Sequence, residues 1–190
     1  MPDPRQPTSE LVAEHDNILT LLGVVERLAE LAEEPTPPLD DMAAAIDLIR
    51  RYADALHHGK EEQLLFPRLE EAGLPPGGGP VACMRHEHEE GRGYVAAMDD
   101  ALSELRAGTE GAGASFARAA LAYVHLLRAH IEKENCVLFP LAEEMLSAET
   151  KEELCARFAD VEEHDVGREA VKELLATLHR LAEAHALGAR

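Results

Sequence analysis

His57-His58-Gly59-Lys60-Glu61-Glu62-Gln63-Leu64-Leu65-Phe66-Pro67 returns farther along the chain as His130-Ile131-Glu132-Lys133-Glu134-Asn135-Cys136-Val137-Leu138-Phe139-Pro140. The offset (130 − 57, and again 140 − 67) is 73 residues, so His, Lys-Glu and Leu-Phe-Pro fall at the same places in both copies. Upstream of each copy stands a matched dipeptide, Glu14-His15 and Glu87-His88, at the same offset. Most residues between have diverged, yet no insertion disturbs the spacing. A histidine and a glutamate four residues apart lie on one face of a helix, about one turn from each other. Two histidines and one glutamate per copy read as one ligand set built twice, which predicts a symmetric binuclear metal site.

Around these copies the chain is patterned for helices. Pro35-Thr36-Pro37-Pro38, Pro75-Pro76-Gly77-Gly78-Gly79-Pro80 and Gly108-Thr109-Glu110-Gly111-Ala112-Gly113 interrupt long stretches rich in Ala, Leu and Glu. The spacing predicts helices over about 8–33, 39–72, 81–107 and 114–146, with a fifth over about 148–186. Leu11, His15, Ile18, Leu22, Val25 and Leu28 recur at three- and four-residue steps, which places His15 on an apolar stripe. Alternating, β-branched runs are absent. The expectation is an all-α fold: an up-down-up-down four-helix bundle (about 8–146) with an additional C-terminal helix (about 148–186), in a single domain over 1–190. Each copy is then a helix hairpin, and a pseudo-twofold axis would point His15, His57, Glu61, His88, His130 and Glu134 into one core.

Composition narrows the partners. Lys+Arg 18 against Asp+Glu 37 gives a net charge of −19 in 190 residues, which argues against nucleic acid or an anionic membrane as partner. The opening MPDPRQPTSELV lacks an apolar core of signal-peptide length, and no uncharged apolar run reaches bilayer-spanning length. Cys83, Cys136 and Cys155 are odd in number and show no CxxC spacing, so unpaired thiols in a reduced, cytoplasmic setting are expected. Cys83 and Cys136 stand near the candidate ligands in sequence, and their expected fate is inert burial.

The chain has 10 histidines, and the repeat separates ligands from bystanders. A local reading pairs His58 with Glu62, also four residues apart, as readily as His57 with Glu61. Registration favours the second pair, because His58 matches Ile131 and Glu62 matches Asn135, whereas His57 and Glu61 match His130 and Glu134. His88 is favoured over His86 for the same reason, since His86 matches Ala13. Glutamate on a helix is usually solvated, but that reading does not account for two matched sets on an interior stripe. Phe66 and Phe139 read as apolar seals, and Pro67 and Pro140 as points where a helix kinks or restarts. Lys60 and Lys133 read as solvated, and Tyr52, Tyr94 and Tyr123 as core residues or pocket lining. Glu163-His164-Asp165 echoes Glu14-His15-Asp16 without a following His-x-x-x-Glu, so the last stretch reads as a packing helix.

Four imidazoles and two carboxylates without a thiolate argue against a structural zinc site and suit two iron ions, with manganese or zinc as substitutes. Two bridging glutamates leave two histidines per ion and open positions for a small ligand. Protons compete for the same donors, so loading should weaken in acid.

These residues resemble the hemerythrin-like, or HHE cation-binding, domain family. The resemblance covers about 8–146 and rests on Glu14-His15, His57-His58-Gly59-Lys60-Glu61-Glu62, Glu87-His88 with Gly91-Arg92, and His130-Ile131-Glu132-Lys133-Glu134. It implies a four-helix bundle holding a non-heme di-iron centre bridged by carboxylates. Oxygen-carrying members have a second third-helix histidine where this chain has Arg92, and an aspartate five residues after the last histidine where Glu134 stands at four. The set is more similar to that of bacterial iron–sulfur-repair di-iron proteins and of the iron-sensing domain of a ubiquitin-ligase subunit. The resemblance implies a protein that binds or senses oxygen, nitric oxide or iron. The alternative is a di-iron enzyme that decomposes peroxide, handles nitric oxide or serves iron–sulfur repair.

Overall fold

The computed structural model describes residues 6–185, and among these the chain is almost wholly helical, with no strand. Helix α1 (Pro7–Leu31) begins with proline in its first turn, where the missing N–H costs nothing. Helix α2 (Leu39–Leu48) continues without a break through the π-helical runs π1 (Ile49–His58) and π2 (Glu61–Leu65) into α3 (Phe66–Glu71). After a turn with Gly73 at φ 118° comes α4 (Gly79–Arg106). Then α5 (Ala112–Lys133) runs through π3 (Glu134–Leu138) into α6 (Phe139–Met145). The turns fall at the three expected Pro- and Gly-rich interruptions. In both hairpins the π run ends at the residue before Phe-Pro, and the α-helix restarts there. A proline cannot donate to the carbonyl one turn back, and the looser π ladder absorbs that missing bond.

The stretch expected as one C-terminal helix is divided. Ser147 caps α7 (Ala148–Asp160) by accepting from the Thr150 N–H. The run π4 (Val161–Val166) leads to Gly167, whose φ of 87° and ψ of 127° lie outside any helix. α8 (Arg168–Ala184) follows. The side chain of His164 lies outside the described residues.

α5 packs on α4 and α1, and α2 on α4 and α1, while α8 covers α1 and α2 and α7 lies on α1. Gly113 permits the tightest of these approaches: a Cβ there would sit 2.3 Å from the Ala32 carbonyl oxygen at the end of α1. Apolar burial occurs in two bodies. One joins Ile18, Leu22, Leu56, Val95 and Leu127 with α8 residues such as Leu178 and Leu181. The other joins Leu11, Leu65, Phe66, Met84, Leu138 and Phe139 with Phe158. On α1, the α2–α3 run and α4 the candidate ligands fall between the two: Glu14 and His15 between Leu11 and Ile18, His57 to Glu61 between Leu56 and Leu65, His88 between Met84 and Val95. A polar layer is thus held between two apolar ones.

Candidate metal centre

All six residues singled out by the repeat, His15, His57, Glu61, His88, His130 and Glu134, are at most 1 % exposed. They meet in two groups: His15, His57, Glu61 and Glu134 in one, and His88, His130 and Glu61 with His58 in the other. Within the first, the Nε2 atoms of His15 and His57 stand 3.0 Å apart; within the second, those of His88 and His130 stand 3.1 Å apart. The glutamates link the groups. Glu61 turns Oε1 to His57 at 3.8 Å and Oε2 to His88 at 3.5 Å. Glu134 turns Oε2 to His15 and Oε1 to His130, both at 3.2 Å. None of these approaches is aligned as a hydrogen bond, so all four carboxylate oxygens are buried without a partner.

The outward nitrogens are all engaged. His57 Nδ1 meets Glu14 at 2.7 Å, and its counterpart His130 Nδ1 meets Glu87 at 2.9 Å. His15 Nδ1 meets Asn135 at 2.9 Å, and its counterpart His88 Nδ1 meets Glu62 at 2.6 Å. An imidazole that donates its Nδ1 proton outward presents a lone pair from Nε2, the arrangement that orients a metal-ligating histidine. Facing lone pairs and facing carboxylates repel unless a cation lies between them. Phe139 stacks on His15 at 5.4 Å between centroids and Phe66 on His88 at 5.9 Å, the apolar seals expected from Leu-Phe-Pro.

Electrostatics records the same tension. Burial, and Glu134 opposite, push the Glu61 carboxyl well above its ordinary value. Burial pushes Glu134 the same way, but His130 and His15 overcome it and hold this carboxyl well below. Burial drives His57 well below the ordinary imidazole value, with His15 adding to the effect. Like-charge neighbours in a dry site force one carboxyl to keep its proton while the other ionises.

The structure differs from the sequence reading at several side chains. Lys60 is fully buried, not solvated, and its Nζ donates to Glu10 and Glu14 at 2.5 Å and to Glu162 at 3.0 Å. Burial disfavours that charge, but Glu14 and Glu10 more than offset it and raise the pKa. Lys133, its repeat partner, remains 41 % exposed and meets Glu87 alone. Cys83 and Cys136 are exposed instead of buried. Glu62 is not an idle counterpart of Asn135: each holds the Nδ1 of a histidine on the other hairpin. His86 faces solvent, as registration predicted, but His58 is 5 % exposed and points into the second group. Registration could not find it, since its counterpart is Ile131. The signal lay in the His57-His58 doublet and the π-helical turn. An i→i+5 ladder rotates less per residue than the 100° of an α-helix, which brings neighbouring side chains closer to one face.

A cavity of about 120 Å³ lies against His58 and His88, walled by Asp54, Gly91, Arg92 and Tyr123. No helix among the described residues is long and apolar enough to cross a membrane.

An all-helical chain enclosing a dry histidine–carboxylate cluster defines a class of cation-binding proteins. This chain belongs to one family within it, the hemerythrin HHE cation-binding domain family, whose model matches residues 6–142. Similar curated relatives include uncharacterized proteins of Mycobacterium bovis and Mycobacterium tuberculosis. Each is 27 % identical over 179 residues, covering 90 % of this chain and 68 % of the relative.

Proposed function

We propose that the chain is an up-down-up-down four-helix bundle whose polar layer holds two iron ions and binds or senses a small ligand such as oxygen or nitric oxide. His15 and His57 would hold one ion, His88 and His130 the other, with Glu61 and Glu134 bridging. The observation that carries this reading is the set of four buried carboxylate oxygens without hydrogen-bond partners, facing imidazole nitrogens. Such a layer is costly unless cations compensate it.

Spacing supports an open coordination sphere over a closed tetrahedron. Two donors about 2.1 Å from a common ion lie about 3.0 Å apart at a right angle and about 3.4 Å apart at a tetrahedral angle. The Nε2 pairs at 3.0 and 3.1 Å match the former. Nitrogen and oxygen donors in that geometry favour iron or manganese over zinc. Bound iron would supply redox chemistry and open coordination positions. The protein's part is to fix the donors, exclude water with Phe66 and Phe139, and admit a small molecule. The cavity beside His58 and His88 is well below the roughly 300 Å³ of ordinary substrate pockets, which suits a ligand of a few atoms.

Elemental analysis after anaerobic reconstitution with ferrous iron tests the reading. Two ions per chain and an optical change on stoichiometric nitric oxide or oxygen, without turnover, are expected. One ion or fewer after full reconstitution refutes it, and sustained consumption of peroxide or nitric oxide would favour the enzymatic alternative.

A further inference from the structure

The two hairpins depart from their symmetry at one buried polar side chain. Where the second hairpin has Ile131, the first has His58, 5 % exposed, whose Nε2 is buried without a hydrogen-bond partner. Its ring stacks on His88 at 3.9 Å between centroids, and the two planes are inclined by 16°. One donor atom from each of His58, Glu61, His88 and His130 lies within 4.8 Å of every other.

The outer face of His58 is built to hold it there. Its Nδ1 meets Asp54 at 3.3 Å, and Arg92 Nε donates to both Asp54 oxygens at 3.0 and 3.2 Å. The same guanidinium donates through Nη2 to Glu62 at 2.8 Å, and Glu62 holds His88. One arginine therefore positions two imidazoles through two carboxylates, and its repeat counterpart, Leu19, can do neither. A packing role alone does not account for His58, because an isoleucine fills the related space and an unpaired imidazole nitrogen is costly to bury.

We propose that His58 is a metal ligand, a fifth imidazole that makes the two ions of the proposed centre unequal. One ion has His58, His88 and His130 with the bridging glutamates; the other has His15 and His57 with the same bridges. This inference rests on the di-metal reading above and deepens it. The three-imidazole ion is the tighter of the pair and fills first. The cavity behind the His58 ring gives the metal position a route to small molecules once that ring is removed.

The test uses the full chain loaded anaerobically with cobalt(II) or ferrous iron alone, read by elemental analysis and, for cobalt, by its visible bands. Wild-type protein should take up two ions in two distinguishable steps. His58→Ala should weaken one step at least tenfold and leave the other unchanged, and free imidazole should restore it through the vacated space. If the alanine variant does not fold, His58→Ile, which copies the second hairpin, replaces it. Two ions bound by the variant with wild-type affinity in both steps would overturn the inference while leaving the di-metal reading intact. A wild-type chain that binds no second ion overturns both.

Discussion

Glu62 and Asn135 stand 73 residues apart (135 − 62) and perform the same task on opposite hairpins. Glu62 reaches from the first hairpin to His88 Nδ1 at 2.6 Å, and Asn135 reaches from the second to His15 Nδ1 at 2.9 Å. Geometry has been retained through the repeat while the chemistry has split. A carboxylate makes its imidazole partner a stronger donor than an amide does, so the two proposed ion positions would differ in the partners behind their histidines. Lys60 and Lys133 split in the same manner, one sealed and one wet.

Replacing Glu62 by Ala should weaken binding at the His88 position by roughly 10–100-fold, the usual effect of losing a partner that orients a ligand. The apo-protein should fold normally. Stepwise titration with cobalt(II) checks this, and equal weakening of both steps would show that Glu62 does not act through His88.

Lys60→Met should cost about 3–5 kcal/mol, because it leaves Glu10 and Glu14 without the cation they enclose. Lys133→Met should cost about 1 kcal/mol or less, since that ion pair is open to solvent. Urea denaturation of both variants makes the comparison. Equal losses would mean that the C-terminal segment bearing Phe158 and Glu162 does not seal Lys60.

The sequence carried the helices through their apolar stripes and breakers, and registration singled out the six side chains that meet in the buried polar layer. What it concealed has three physical sources. Lys60 is buried by Phe158 and Glu162, which belong to a segment with no copy in the repeat. His58 turns inward because the backbone is π-helical around it, and the hydrophobic pattern alone is read at the α period. Gly167 divides the last stretch through one left-handed residue, a weak mark inside an otherwise continuous helical composition.

Acid should loosen the last helix. Asp41 accepts from Arg180 at 3.0 Å and meets His185 at 3.0 Å, tying α8 to α2. Burial raises the Asp41 pKa, but these two partners outweigh it and hold the carboxyl below its ordinary value. A depressed carboxylate contributes stability above its unfolded pKa and loses it as pH falls through the folded one. Protection factors across Arg168–Ala184, corrected for the intrinsic pH dependence of amide exchange, should therefore fall at low pH in the wild type, and Asp41→Asn should show the lower protection already at neutral pH. Identical exchange in both proteins at neutral pH would refute the tie.

Two glycine-to-alanine changes should have opposite signs. At Gly93 nothing lies within 4 Å of the added Cβ, so helix propensity alone acts and stability rises by about 1 kcal/mol at most. At Gly113 the same gain is opposed by a backbone oxygen at 2.3 Å, which no side-chain rotation relieves. Gly113→Ala should lose roughly 1–3 kcal/mol net, the range of overpacking. Thermal melts of the two variants decide it, and a stabilised Gly113→Ala would mean that the ends of α1 and α5 separate without cost.

Metal should stabilise the fold without being required for it. The polar layer lies between two apolar bodies that have no need of an ion, so the helices can assemble while the carboxylates and imidazoles face one another uncompensated. An ion that binds only the folded chain adds stability by mass action, about 2.7 kcal/mol at a free concentration one hundred times Kd. The melting temperature should therefore climb with free metal and fall on chelation to a lower but still cooperative transition. His57→Ala and Glu134→Ala, which remove a proposed ligand and a proposed bridge, should flatten that climb; His125→Ala, on an exposed position of α5, should not. Calorimetry over a series of buffered metal concentrations reads all four proteins. A wild-type melting temperature independent of metal would mean that the six residues do not share a buried ion site.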